Sequence, residues 1–479
     1  MIQDLLNRLN DVVWGPFLLI PLLLLTGLYL TIVLRAIQFH KLAYALWLAL
    51  IRRKEHGAAG DISHYQALTT ALAATIGTGN IAGVATAITL GGPGALFWMW
   101  VTGLVGMATK YAEAFLGVKY RRTDARGEQS GGPMFYLSQG IGGRLGATLG
   151  ISFAIFAAVA AFGIGNMVQS NSVADAVATS FHIPHVWTGL VLMLVAAVVI
   201  LGGIRAIGRF TAAFVPFMAI AYILAAALVL ALNIDAVPAA LAVIFRDAFT
   251  GTSATGGFAG VAVIAAIRYG VARGIFSNES GLGTGGIAAA AARTTHPVRQ
   301  GLVSMTQTFI DTLIVVTFTG LVIIVTGVWT LADVDGAPLT ALGFEQGLPG
   351  QWGGYVVTIS LICFAFSTLL GWAYYGERSM DRLFGRGAVT PYRLAFIAAI
   401  YVGAVLELRT VWTLADIMNG LMALPNLIGL LLLSGLVARE TRAFFARPDW
   451  RDLGVEPAAR AEPWPQGERE PAEAARDEP

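Results

Sequence analysis

Residues 73–83 read Ala73-Ala74-Thr75-Ile76-Gly77-Thr78-Gly79-Asn80-Ile81-Ala82-Gly83, within an apolar stretch spanning 66–90. A glycine inside a helix costs about 1 kcal/mol relative to alanine. Three glycines with Thr78 and Asn80 among them therefore predict a break in that helix. In hydrocarbon, unwound backbone leaves N–H and C=O groups unpaired, and it is tolerated only where it lines a cavity inside the protein. A second stretch of the same kind reads Phe276-Ser277-Asn278-Glu279-Ser280-Gly281-Leu282-Gly283-Thr284-Gly285-Gly286. Glycine in membrane helices also serves close packing, and for one segment alone that reading is as good. Here two segments break, and each opens a set of five apolar segments. Five is odd, so the two sets face opposite ways. That pattern implies an inverted-repeat transporter with its site where two discontinuous helices cross.

The rest of the chain fits this frame. Of its 479 residues 56% are hydrophobic and only 13% charged, whereas soluble domains carry about 25% charged residues. Eleven apolar segments predict an all-α integral membrane protein with about eleven transmembrane helices. They lie at 14–34, 66–90, 94–117, 148–180, 186–203, 210–232, 256–292, 302–328, 352–376, 390–406 and 412–434. Residues 36–56 read as an interfacial amphipathic helix, with Lys41, Arg52, Arg53 and Lys54 flanking Leu42, Leu46, Trp47 and Leu50. Alternate loops hold eighteen basic residues, Arg122, Arg126, Arg205 and Arg386 among them, against Arg8, Arg246 and Arg409 on the other side. This asymmetry predicts an outside N-terminus and a cytoplasmic C-terminus in a bacterial-type inner (plasma) membrane. The expected organisation is 1–60 (first span and interfacial helix), 61–235 (first repeat), 236–440 (second, inverted repeat) and 441–479, a proline-rich, acidic, disordered cytoplasmic tail.

Several function classes fall away. The net charge of +2 is spread between apolar runs and gives no nucleic-acid footprint. The single cysteine, Cys363, excludes an intrachain disulfide and any multi-cysteine metal site. The N-terminus lacks the features of a secretory signal. Gly281–Gly286 literally fits GxGxxG, but no strand precedes it. No cluster of His, Asp, Glu or Cys at helix ends suggests an enzyme. Among intramembrane acids, Glu279 lies at the second break. It either binds a proton or cation, or pairs with freed N–H groups and holds the break open. Asp175, Asp311 and Asp416 fall nearer helix ends, and Glu113, with Lys110 one turn earlier, reads as a paired interfacial residue.

The two breaks, together with Gly91-Gly92-Pro93-Gly94 and Gly131-Gly132-Pro133-Met134-Phe135-Tyr136, resemble the alanine or glycine:cation symporter family. The resemblance covers residues 14–440; the family's Asn-Glu-Ala-Gly appears here as Asn-Glu-Ser-Gly, with Ser280. It implies a LeuT-like 5+5 inverted repeat with one extra N-terminal helix. It also implies uptake of a small neutral amino acid such as alanine or glycine, coupled to Na+ or protons, without an organic cofactor. The N–H groups of Gly77, Thr78 and Gly79, beside Asn80, suit a carboxylate, because a half-helix N-terminus favours an anion. Carbonyls near Phe276, Ser277 and Asn278 suit an ammonium. By resemblance Gln169 contacts the substrate, though it could equally bond one helix to another, and Trp372 limits pocket size or simply packs. The resemblance places sodium among Ala73, Ile76, Phe364, Ser367 and Thr368; such hydroxyls otherwise bond their own backbone. The rival reading is a LeuT-like transporter of another small solute, since fold alone does not set the substrate. The oligomeric state is not legible in the sequence.

Overall fold

The computed structural model describes residues 2–15, 18–53, 55, 58–124, 127–250, 259–331, 334–406 and 409–451, almost all of them helical. Lys54, Arg126, residues 256–258 of the second broken segment, the Arg409 side chain and the predicted tail from 452 onward lie outside the described residues. Among the described residues seven helices are long and apolar enough to cross a bilayer, and the bent pair His64–Thr75 and Gly79–Gly91 makes an eighth if it is one span. The remaining predicted spans map onto Leu19–Val33, Gly94–Lys119 and His185–Ile200. The first and last of these have only 15 and 16 residues, and the middle one carries Lys110 and Glu113. A count of eleven is reached only if these three also cross.

Local chemistry sets the first broken helix. It starts at a capping box: the Ser63 hydroxyl accepts the Gln66 N–H at 3.2 Å, and the Gln66 carboxamide oxygen accepts the Ser63 N–H at 2.9 Å. It stops at Ile76, whose ψ of 91° is extended. The chain resumes as a π-helical turn, Gly79–Gly83, and then Val84–Gly91, bent 56° from the first half. The second broken helix runs Ala259–Asn278 and resumes at Thr284–Ala290. Between them Glu279, Gly281 and Gly283 all have positive φ, at 57°, 96° and 90°.

The two broken helices run antiparallel. The Asp61 N–H, at the start of the first, donates to the Ala291 carbonyl at the end of the second (2.8 Å), and the Arg293 N–H returns to Ile62 O (2.7 Å). At the far end, Gly91 packs on the backbone of Ala265 and Ala266. The long helix Gly353–Phe384 crosses beside the first break. A Cβ on Gly371 would come within 2.8 Å of the Ala74 backbone, so glycine permits that close approach.

Three helices of the structure carry no strong sequence signal: Ile2–Val13, Val237–Thr250 and Gly336–Gly347. The last covers the first break, where Thr340 Oγ1 donates to Ile81 O at 3.0 Å. The final helix, Arg409–Ala446, continues past residue 441. Its last turns still bury side chains: Tyr111 and Thr441 hydroxyls are 2.7 Å apart, and the Phe444 ring lies 4.6 Å from that of His296. A two-stranded hairpin, Arg122–Thr123 with Gln129–Ser130, is the sheet element among the described residues.

Candidate substrate and cation site

The site begins with what the first break leaves unpaired. The Gly77 N–H donates to Asn80 Oδ1 at 2.9 Å, and the Thr78 N–H to Gln169 Oε1 at 3.3 Å. Gln169 donates its own Nε2 to Ile164 O at 3.0 Å. The bond to Thr78 ties its helix to the first break, which is the helix-to-helix role, and the bond to Ile164 fixes the side chain within its own helix. It sits just past a second π-helical turn, Gly163–Met167. Residue 77 is packed against Thr368: a Cβ there would lie 2.5 Å from Thr368 Oγ1.

Five oxygens gather on the other side of this break. Ser367 Oγ lies 3.2, 3.4 and 2.8 Å from the carbonyls of Ala73, Ile76 and Phe364. Thr368 Oγ1 lies 3.2, 3.4 and 3.1 Å from the same three. Two hydroxyl protons thus face three carbonyl oxygens, all buried, so the cluster has a surplus of acceptors. Hard oxygens in such surplus suit a small hard cation. This is the set named from the sequence.

The second break is handled differently. Glu113, fully buried on Gly94–Lys119, accepts the N–H groups of Gly281 and Gly283 at 2.9 Å each. Asn426 donates to the same oxygen at 2.9 Å and to Gly281 O at 2.9 Å, and the Tyr136 hydroxyl donates to Asn426 Oδ1. Lys110 Nζ donates to Glu279 O at 3.0 Å and stands 3.8 Å from Glu113. Glu113 is therefore not an interfacial residue. It does the work that one reading gave Glu279, because its helix runs directly against the break. The Glu279 carboxylate instead accepts the Thr284 hydroxyl at 2.6 Å, with the Trp372 indole in reach.

The sequence places Asp311 nearer a helix end. The structure puts it at the centre, on a third π-helical turn, Phe309–Val316. Its carboxylate accepts from Asn80 Nδ2 at 2.7 Å and from Ser277 Oγ and Thr312 Oγ1 at 2.9 Å each. One side chain thus ties the two breaks together. Asn278 donates to Thr312 Oγ1 at 3.1 Å, and its carbonyl accepts from Gln307 at 3.0 Å. The carbonyls of Phe276 and Ser277 end their helix. The N–H groups one turn on, from Ser280 and Gly281, go instead to Asn278 Oδ1 and Glu113. Those two carbonyls thus lose the N–H partners that a continuing helix would supply, and their residues pack on Gly79 of the first break.

The site is closed in. Trp372 is 1% exposed and lies on Gly165. Phe276 is half-buried and packs on Gly79. It lines a recess of about 80 Å³ together with Trp14, Arg268, Arg273 and Asp416. At the opposite end, Arg378 is buried among Glu128 (2.8 Å), Glu377 (3.3 Å) and Asp381 (3.5 Å). This links the 122–130 hairpin to the long helix. Hydrogen bonds from Arg378 and Arg386 hold Glu128 below the usual carboxylate range, against the effect of its burial.

The sequence profile of the Sodium:alanine symporter family matches residues 1–453. The chain belongs to the sodium:alanine symporter family. It is therefore a multi-pass membrane transporter and not an enzyme. The chain is 55% identical over 445 residues to the sodium/alanine symporter AgcS of Methanococcus maripaludis, covering 92% of this chain and 97% of that protein. It is 36% identical over 442 residues to the probable sodium/glutamine symporter GlnT of Bacillus subtilis, covering 91% and 89%. The structure of MhsT in complex with L-phenylalanine superposes with a TM-score of 0.58 at 12% identity, over 80% of this chain and 93% of that one. The symporter family's fold here is LeuT-like.

Proposed function

We propose that this chain carries a small neutral amino acid, such as alanine or glycine, inward with sodium by alternating access. One observation carries the reading: a single helix break presents N–H groups on one side and five converging oxygens on the other. The carboxylate would lie on the N–H groups of Gly77, Thr78 and Gly79, near Asn80 and Gln169. The ammonium would meet the carbonyls of Phe276 and Ser277, with Asn278 and Trp372 shaping the pocket. Sodium, as co-substrate, would take the oxygens of Ala73, Ile76, Phe364, Ser367 and Thr368. Each ligand then steadies the same few backbone dihedrals, so binding one favours the other, and the coupling is reciprocal. We place the N-terminus outside and the C-terminus in the cytoplasm, from the basic loops. The repeats at 61–235 and 236–440 would rock against each other around the site.

The test is uptake of labelled alanine into proteoliposomes with equal sodium on both sides and an inside-negative potassium diffusion potential. Moving one charge through 100 mV is worth about 2.3 kcal/mol, so symport with one sodium is expected to accumulate alanine about 50-fold. Uptake should vanish without sodium. Sodium-independent uptake, or accumulation indifferent to voltage, would reject electrogenic symport. Glycine and glutamine as competitors define the substrate.

A further inference from the structure

A cavity of about 360 Å³ opens far from the transport site, where the helix Leu19–Val33 meets the last turns of Arg409–Ala446. Its walls are apolar, from Leu34, Ile37 and Phe445, and its rim carries Arg35, His40, Lys41 and Arg442. No aspartate or glutamate is among its lining residues. The acid nearest in sequence on that helix, Glu440, is held by Lys119 at 2.8 Å. Lys41 is fixed in place, its ammonium 4.5 Å from the Phe445 ring centre and 4.6 Å from that of Trp450. Burial lowers its pKa, and Arg451 nearby lowers it further. With Arg451 nearby and basic side chains but no acid in the lining, positive charge is in local excess. Arg442 donates Nε to Ala438 O at 3.1 Å, and among the described residues its terminal nitrogens meet no acceptor. Arg35 stands on a turn in which it and Ala36 both have φ of 56°. That turn swings the chain from the span into the short helix Ile37–His40, across the mouth of the cavity.

An apolar track leads out of this basic pocket. Leu25, Leu28 and Ile32 are exposed along one wall, Ile32 by 68%, and Ile428 and Leu432 are exposed on the final helix. Phosphate oxygens suit the guanidinium forks, and acyl chains suit the track. Free phosphate would use only the rim. Basic pockets between membrane helices at the interface bind anionic headgroups in this way.

We propose that this cavity is a binding site for an anionic phospholipid, its phosphate held by Arg35, Lys41 and Arg442 and its chains lying along Leu25, Leu28 and Ile32. The lipid clamps the first span to the final helix.

The full chain, purified in detergent, is titrated with phosphatidylglycerol while thermal unfolding is followed. The melting temperature should rise to a plateau. The variant Arg35→Gln/Arg442→Gln should need at least tenfold more lipid for half the shift, and Arg35→Lys/Arg442→Lys should recover most of it. Should the Gln variant not fold, Lys41→Gln is measured the same way and should also weaken the lipid. Phosphatidylcholine giving the same plateau would overturn the proposal, as would an unchanged half-saturation in the Gln variants. Inorganic phosphate reproducing the shift would make this a free-anion site and overturn it too. A lipid effect that emerges only after Glu468, Glu470 and Glu473 are changed to Gln would assign the cavity to the chain's own acidic tail, with the same consequence.

Discussion

The two helix breaks look alike in sequence and are finished in opposite ways. At the second, the freed N–H groups of Gly281 and Gly283 end on the fixed carboxylate of Glu113, itself held by Asn426 and Lys110. At the first, the N–H groups of Gly77 and Thr78 end on neutral carboxamides, and three carbonyls are left sharing two hydroxyls. A buried break closed by a charge is a rigid part. A break closed by neutral, exchangeable partners can trade them for a ligand. The difference teaches that an unwound segment becomes a binding site through what the neighbouring helices withhold from it.

Removing the fixed cap should have the largest effect. Glu113→Leu leaves two backbone N–H groups buried without their acceptor, takes one of two acceptors from Asn426 and removes the carboxylate beside the Lys110 ammonium. Breaking a buried charge pair costs about 3–5 kcal/mol, so the folded yield and melting temperature should fall sharply. Glu113→Gln, which keeps an acceptor oxygen, should fall less. A Glu113→Leu protein that melts like the original would erase the distinction between the breaks.

Next comes the open break. Ser367→Ala/Thr368→Ala removes two of five oxygens without burying a charge. The melting temperature in sodium-free buffer should stay within a few degrees, while the sodium needed for half-maximal uptake rises at least tenfold. That lies within the coupling range of about 1–3 kcal/mol. Alanine affinity should weaken with it. Unchanged sodium dependence in the folded double variant would remove the cation from this break.

The smallest expected change sharpens the comparison from the substrate side. Trp372→Phe makes room next to Gly165 without touching the oxygens. One methylene of fit is worth about 1–3 kcal/mol in an apolar pocket, so valine and leucine should compete with alanine about tenfold better. Sodium dependence should not change. Strong competition by leucine against the original protein would show that Trp372 does not limit size.

Much of this was legible in the sequence, because breaks are written in local composition. Gly77–Gly79 and Gly281–Gly283 announce themselves, and the adjacent hydroxyls Ser367 and Thr368, singled out through the family resemblance, lie against the carbonyls of Ala73 and Ile76. The partners were not legible. Glu113 lies 168 residues from Gly281 and Asp311 lies 231 from Asn80, so no spacing rule connects them. Both stood out as acids within apolar spans. Their roles are hidden because helix ends read from hydropathy drift by a turn, and one turn separates an interface from the protein interior. The extra length of the final helix was hidden for a related reason: Thr441 and Phe444 are buried by tertiary contacts in a stretch rich in arginine.

Three of the site's elements share the π-helical turn, at Gly79–Gly83, Gly163–Met167 and Phe309–Val316. Such a turn holds one residue more than the α-helical turn it replaces. Each α-helical residue advances the helix by about 100°, so the extra residue sets the rotational phase of everything beyond it. Losing one codon inside 309–316 would restore a regular helix and swing Thr317 and its successors a quarter-turn or more relative to Asp311. Point substitution cannot make that move. The alignment of these helices is therefore a matter of residue count as much as residue kind, and a single-residue insertion or deletion would misalign the proposed site in a way that no point substitution can.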